Sequence, residues 1–167
     1  MKNEITGMRL RLIVMNFLQF AVWGAYLTSM GTYLFNIGLG AKIGLFYAMQ
    51  GIVSLFMPAI MGIIADRRVP AQKLYGFCHF MAAVFMVAAG WYGYVDGEAV
   101  NFGTLFTFYS LSVAFYMPTL ALTNSVAYTA LDKVKLDPVI AFPPIRIFGT
   151  IGFICSMLLT DILGFQN

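Results

Sequence analysis

Three side chains near the end of the chain, Arg146, Thr150 and Phe153, share one face of a predicted helix. At about 100° per residue, they fall within an arc of about 60°. That face offers a planar fork of donors, a hydroxyl and an aromatic ring. The mixture suits a ligand that combines hydroxyl groups with a flat ring that can stack. Gly149 and Gly152 lie on the adjoining flank, where a neighbouring helix is expected to pack closely.

The composition places these residues in a membrane protein. Hydrophobic residues make up 60% of the chain and charged residues only 10%, whereas soluble domains carry about 25% charged residues. A soluble fold would expose much of this apolar surface and aggregate. The net charge of +3 is too small to indicate a nucleic-acid partner. Barrel strands would alternate apolar and polar residues, but the apolar runs are long and continuous, so they predict helices.

Five apolar segments predict five transmembrane helices and an all-α fold. They span about residues 10–35, 43–65, 74–95, 102–131 and 143–165. Basic residues cluster before the first helix and in the 2–3 and 4–5 connections, whereas the other two connections carry Lys42 alone or acidic residues. The positive-inside rule therefore predicts a cytoplasmic N-terminus. An odd number of helices without a tail indicates a piece of a longer chain.

The position of Arg146 in its helix has two interpretations. Pro143 and Pro144 are typical of a helix start, and from a first turn the guanidinium would extend to the lipid headgroups. The apolar stretch "VIAF" before the prolines instead favours a deeper position. The residues alone do not separate an interfacial anchor from a ligand-binding group.

Other polar side chains in the apolar segments also have two interpretations. Gln19 and Trp23, in "FLQFAVWG", are candidates for a ligand cavity, but interhelical hydrogen bonds are the more frequent role of such residues. The same alternatives apply to Tyr26, Thr28, Gln50 and Asn124. His79 is expected to be packed or interfacial rather than to relay protons. The sequence shows no metal-ligand cluster, nucleophile–base pair or phosphate-binding loop, so it predicts no cofactor and no enzyme activity.

The connection between the second and third helices reads "MGIIADRRVPAQK". Its pattern Gly62-x-x-x-Asp66-Arg67 resembles the signature loop of the major facilitator superfamily. Glycine permits close approach of helices, and an aspartate at a helix end can form charge-assisted bonds that latch one conformation. The loop departs from the superfamily pattern at residues 69–71, where it reads "VPA". A solvated cytoplasmic turn is the alternative interpretation.

Four longer motifs resemble the nucleoside:proton symporters, a family of nucleoside permeases within that superfamily. The motifs are "MNFLQFAVWGAYLTSMGTYLF", "FMPAIMGIIADRR", "YMPTLALTNSVAY" and "FPPIRIFGTIGF". The resemblance implies that residues 1–167 are an incomplete N-terminal six-helix half of a twelve-helix fold. In the family, the residues that match Arg146, Thr150 and Phe153 line the substrate cavity. The carboxylates that couple protons belong to the half that is absent here.

The resemblance implies proton-coupled nucleoside uptake across the cytoplasmic (inner) membrane by alternating access. The implied partners are a nucleoside, protons, the lipid bilayer and the remaining half of the transporter. If the five-helix chain were complete, a non-transporting membrane scaffold or partner subunit would be the better interpretation, because an alternating-access site needs a second half. A membrane enzyme ranks third, because the sequence has no catalytic constellation.

Overall fold

The computed structural model describes residues 2–164, and every regular element among them is helical. Two short 3₁₀ helices, Gly40–Lys42 and Gly97–Ala99, lie in the connections between long helices. The long helices are α1 (Lys2–Asn36), α2 (Ile43–Arg67), α3 (Ala71–Asp96), α4 (Phe102–Lys133) and α5 (Pro138–Ile162). All five are long and apolar enough to cross a membrane. The predicted all-α class with five candidate spans is therefore confirmed.

The first helix begins well before its apolar run. α1 starts at Lys2, although the apolar run predicted a start near residue 10. Its polar first turns are compatible with a helix because Glu4 lies near the positive end of the helix dipole. The helix has 35 residues and is therefore about 50 Å long, whereas the hydrocarbon core is about 30 Å thick. Tilt alone does not absorb that difference, so part of α1 extends beyond the hydrocarbon core.

The fifth helix also begins earlier than predicted. Asp137 caps α5 by accepting a hydrogen bond from the Val139 backbone N–H at 2.9 Å. Pro138 takes the first helical position, where its missing N–H costs nothing. The predicted start at Pro143 is therefore wrong, and the predicted end at residue 165 lies outside the described residues.

Pro143 and Pro144 consequently lie inside α5. Each lacks the N–H that would bond the carbonyl four residues earlier, a defect that membrane helices tolerate. Arg146 lies eight residues after Pro138, which is about 12 Å along the helix axis. The interpretation of Arg146 as a first-turn residue is therefore wrong.

The chain divides into two compact units. The first unit comprises Met1–Tyr33 and Thr123–Asn167, and it holds most of α1, the end of α4, and α5. Its core is built from apolar side chains of these three helices, with Leu131 fully buried. The buried members of this core are Leu12, Ala127, Leu131, Ala141, Phe142 and Ile145.

The second unit, Leu34–Leu122, holds α2, α3 and most of α4. The fully buried Phe46 ring packs against Phe106 and Tyr109, with ring centres 5.2 and 5.0 Å away. The Ser112 hydroxyl donates a hydrogen bond of 2.7 Å to the Ala82 carbonyl, which joins α4 to α3.

Candidate functional site

The first unit brings α1 and α5 together around the Arg146 side chain. The guanidinium carbon of Arg146 lies 3.8 Å from the centre of the Phe20 ring, a cation–π contact. The ring centres of Phe20 and Trp23 are 6.0 Å apart, and Trp23 meets Phe153 edge-on at 5.8 Å. We call these four residues the arginine–aromatic cluster. It combines one cation with three aromatic rings on two helices.

Two glycines of α5 allow this close approach of α1. A Cβ at Gly149 would lie 2.7 Å from Phe20 Cδ2, and a Cβ at Gly152 would meet the Phe17 carbonyl. Neither position has room for a larger side chain unless the α1 side chain or backbone moves. The predicted packing role of Gly149 and Gly152 is therefore confirmed.

The other two predicted ligand residues lie on the same helices but outside the cluster. Thr150 is exposed, one turn after Arg146 on α5. Gln19 is only 2% exposed, so it is closed off from solvent in this conformation. Of the five predicted residues, the structure thus brings together Trp23, Arg146 and Phe153.

Three residues of α1 that were not among the predicted site residues contribute to this region. Phe20 carries the cation–π contact, and a Cβ at Gly24 would lie 2.6 Å from the Phe153 carbonyl oxygen. Asn16 is fully buried, and its Nδ2 donates a hydrogen bond of 2.9 Å to the Leu12 carbonyl. A signal for Asn16 exists in the sequence, because it precedes Gln19 by one helical turn on the same face.

Near the arginine–aromatic cluster, Asn16 Oδ1 and Trp23 Nε1 are buried without a hydrogen-bond partner among the described residues. The interhelical hydrogen bond considered for Trp23 is therefore not formed in this conformation. An unpaired buried polar group costs about 1–3 kcal/mol. These atoms leave one acceptor and one donor unused by the described residues.

Other polar side chains of the helices interact with nearby protein groups. The Thr28 hydroxyl donates to the Gly24 carbonyl at 2.9 Å, within its own helix, so an interhelical bond from Thr28 is not seen. The His79 ring packs edge-on against Tyr75, with ring centres 4.5 Å apart. The expectation of a packed histidine is therefore confirmed.

The predicted gating loop lies in the second unit, at the end of α2. Asp66 and Arg67 are exposed in the last turn. The helix closes with backbone bonds of 2.9 and 3.1 Å from the N–H groups of residues 68 and 69 to the Ile64 carbonyl. A Cβ at Gly62 would meet no described atom within 4 Å, so the expected close helix approach is not made among residues 2–164.

The arginine–aromatic cluster is suited to binding rather than to bond breaking. Arg146 is a permanent cation with five donors, and the rings provide faces for stacking. No carboxylate among residues 2–164 forms an ion pair with Arg146. The described chain also contains no group of three or more side chains able to hold a metal ion. The cluster thus presents hydrogen-bond donors and ring faces, the groups that a polar, flat ligand requires.

Known proteins resemble this chain over nearly its whole length. The xanthosine permease of Escherichia coli (strain K12) is 42% identical over 156 residues, which cover 92% of this chain and 36% of the permease. The nucleoside permease NupG of the same strain is 38% identical over 163 residues, covering 96% and 37%. The chain thus spans about a third of the length of these relatives.

Solved structures agree with the sequence relatives. Two crystal structures of the nucleoside transporter NupG, one of them of a mutant, match with TM-scores of 0.86 and 0.83. Each match covers 95% of this chain and 38% of the solved chain, at 38% and 37% identity. The predicted fold class, a helical part of a major-facilitator transporter, is confirmed. The family model described as nucleoside H+ symporter matches residues 6–166, and the chain therefore belongs to the nucleoside H+ symporter family.

Proposed function

We propose that the protein containing this chain takes up nucleosides together with protons across the cytoplasmic (inner) membrane. The family and the permeases that it resembles support this function. The structural observation that carries the site assignment is the arginine–aromatic cluster between α1 and α5. A nucleoside needs donors for its ribose hydroxyls and base acceptors, and a ring on which the base stacks.

Each side chain of the cluster has a separate task in this proposal. The Arg146 guanidinium donates hydrogen bonds to the nucleoside, and the Phe20 ring beneath it fixes its orientation. Phe153 and Trp23 supply faces for the base. The Thr150 hydroxyl, on the same face of α5, binds a ribose hydroxyl, and Gln19 becomes accessible only when the helices move apart.

The cost of placing the Arg146 charge in a membrane helix favours a further partner for its guanidinium. A charged side chain in a membrane helix costs about 2.5–3.5 kcal/mol at the bilayer centre. A cation–π contact offsets about 0.5–2 kcal/mol of that cost, so Phe20 alone does not compensate it. We infer that a nucleoside and a carboxylate from the remaining part of the transporter supply the difference. The same carboxylate is a candidate for proton coupling.

The rest of the transport cycle requires residues beyond this chain. We propose that the five helices belong to an N-terminal six-helix half, which rocks against a second half about the substrate site. Asp66 and Arg67 would latch one state by bonding to a helix end of the other half, with Gly62 packing there. The N-terminus lies in the cytoplasm in this arrangement.

Replacement of Arg146 by lysine tests the site. Lysine keeps the charge but lacks the planar fork of donors. In the full-length protein we expect Arg146→Lys to insert normally and to lower proton-driven nucleoside uptake at least about tenfold, equivalent to about 1.4 kcal/mol. Arg146→Ala should lower proton-driven nucleoside uptake at least as much as Arg146→Lys. Uptake of radiolabelled nucleoside, with and without a protonophore, measures the change.

Arg9→Lys is the matched control, because Arg9 is an exposed arginine on α1 outside the cluster. It should transport like the parent protein at equal surface expression. If Arg146→Lys also transports like the parent, the planar fork of donors is not required for transport and the site assignment fails. If the parent itself shows no protonophore-sensitive uptake, the proposed function fails.

A further inference from the structure

A cavity of about 520 Å³ opens between the first turns of α1 and the α4–α5 connection of the first unit. None of the arginine–aromatic cluster residues lines it. Its lining combines three cations and one carboxylate with apolar side chains. The lining includes Arg11, Lys133, Lys135, Glu4, Ile5 and Met8.

The charge of the lining favours an anionic ligand. Arg11 comes from α1, whereas Lys133 and Lys135 come from the end of α4 and the residues that follow it. Glu4 is the one acidic residue among the lining side chains, so the cavity carries a net positive charge. Basic pockets between transmembrane helices at the cytoplasmic side are typical binding sites for anionic lipid headgroups.

The apolar part of the lining distinguishes this cavity from a simple anion site. Ile5 and Met8 lie beside the cations. At about 100° per residue, Val14 and Leu18 fall within about 60° of Arg11 on the α1 surface. Both are exposed, at 48% and 56%. An apolar track therefore leads from the cavity along α1 into the membrane-spanning part of the helix.

The backbone at Lys135 is a second unusual feature of the cavity. Lys135 has a φ of 57°, in the left-handed region that favours glycine. The Lys135 N–H bonds the Asp132 carbonyl at 2.9 Å, and the Leu136 N–H bonds the Leu131 carbonyl at 3.1 Å. This pair of bonds is the Schellman motif, whose left-handed position is usually glycine. A lysine at this position adds a third cation to the cavity at the expense of backbone strain.

We propose that this cavity binds the headgroup of an anionic phospholipid. Arg11, Lys133 and Lys135 contact the phosphate, and an acyl chain lies along Val14 and Leu18. Free inorganic phosphate has the same anionic group as the lipid, but it has no acyl chain to pack along the apolar track. The inference rests on the membrane placement of the helices and does not depend on nucleoside transport.

Lipid titration of the purified full-length protein, followed by native mass spectrometry, tests the site. We expect phosphatidylglycerol, which has one net negative charge, to bind at least about fivefold more tightly than zwitterionic phosphatidylcholine. Arg11→Gln and Lys135→Gly should each weaken phosphatidylglycerol binding about fivefold. Lys135→Gly also removes the backbone strain, so lost binding in this variant does not reflect misfolding.

Arg9→Gln is the matched control, because Arg9 is exposed on the same helix and does not line the cavity. It should leave lipid binding unchanged, as should Arg146→Lys. Equal binding of the two lipids, or equal losses in Arg9→Gln and Arg11→Gln, would reduce the site to general surface charge and overturn the proposal. Displacement of the lipid by inorganic phosphate would identify a free-anion site instead and would also overturn it.

Discussion

Lys135 adopts a left-handed backbone conformation directly after α4, with a φ of 57°. This conformation costs a residue with a Cβ about 1–2 kcal/mol, whereas glycine avoids the cost but loses more entropy on folding. We therefore expect Lys135→Gly to raise the free energy of unfolding by about 0.5–1 kcal/mol. Chemical unfolding of the purified full-length protein, in detergent free of anionic lipid, measures the change.

Lys133→Gly is the control for this prediction. It removes the same charge from the same cavity, but Lys133 is the last residue of α4 and has a helical backbone. Glycine in a helix costs about 0.5–1 kcal/mol, so the free energy of unfolding should fall. If the free energy of unfolding rises in both variants, repulsion between the cations, rather than the backbone of Lys135, limits stability.

The residue pattern predicted part of the candidate site, and the reason for the omissions is geometric. Arg146 and Trp23 stand out because polar or indole groups are conspicuous in apolar helices. Phe20 does not stand out, because a phenylalanine among apolar residues has no distinguishing feature in the sequence. Its role depends on the rotation of α1 about its own axis relative to α5. The sequence of either helix does not define that rotation. Asn16 was detectable from its spacing to Gln19.

The close packing of α1 against α5 depends on a glycine of α5. A Cβ at Gly152 would meet the Phe17 carbonyl, so even alanine forces the two backbones apart. We expect Gly152→Ala to lower the free energy of unfolding by about 1–3 kcal/mol, the usual cost of overpacking. Gly90→Ala in α3 is the matched control, since a Cβ there meets nothing within 4 Å among the described residues.

The control variant should be neutral or slightly stabilising, because alanine is favoured over glycine in a helix by about 1 kcal/mol. Thermal unfolding followed by intrinsic fluorescence compares the two variants. Equal effects of Gly152→Ala and Gly90→Ala would contradict the close α1–α5 contact. A selective loss in Gly152→Ala would support it independently of any transport assay.

The number of helices was predictable from hydropathy, but the starts of α1 and α5 were not. Apolar runs of about 20 residues mark the parts that cross a bilayer, whereas a helix also continues through polar turns such as residues 2–9 of α1. At α5, Pro143 and Pro144 suggested a start. The helix instead begins at Pro138, directly after its N-cap Asp137. An N-cap with proline after it is the stronger start signal, because the cap satisfies an otherwise unpaired N–H.

The distribution of basic residues along the chain predicts its orientation in the membrane. Five consecutive spans place successive connections on alternate sides of the membrane. The basic residues Arg67 and Arg68 follow α2, and Lys133 and Lys135 end or follow α4. The α1–α2 connection contains only Lys42, and residues 97–101 between α3 and α4 contain no basic residue. The positive-inside rule therefore predicts that the α2–α3 and α4–α5 connections lie in the cytoplasm.

Single cysteines in the full-length protein test this orientation after every native cysteine, including Cys78 and Cys155, is replaced by alanine. The four sites lie at or beside the four connections: Ala41, Ala71, Ala99 and Val134. An impermeant thiol reagent added to intact cells should label the first and third sites and spare the second and fourth. Permeabilised cells should label all four, which checks that the spared sites are reactive. The opposite pattern in intact cells would place the N-terminus outside. It would also move the basic cavity near Arg11 to the outer leaflet, although the helices themselves would be unchanged.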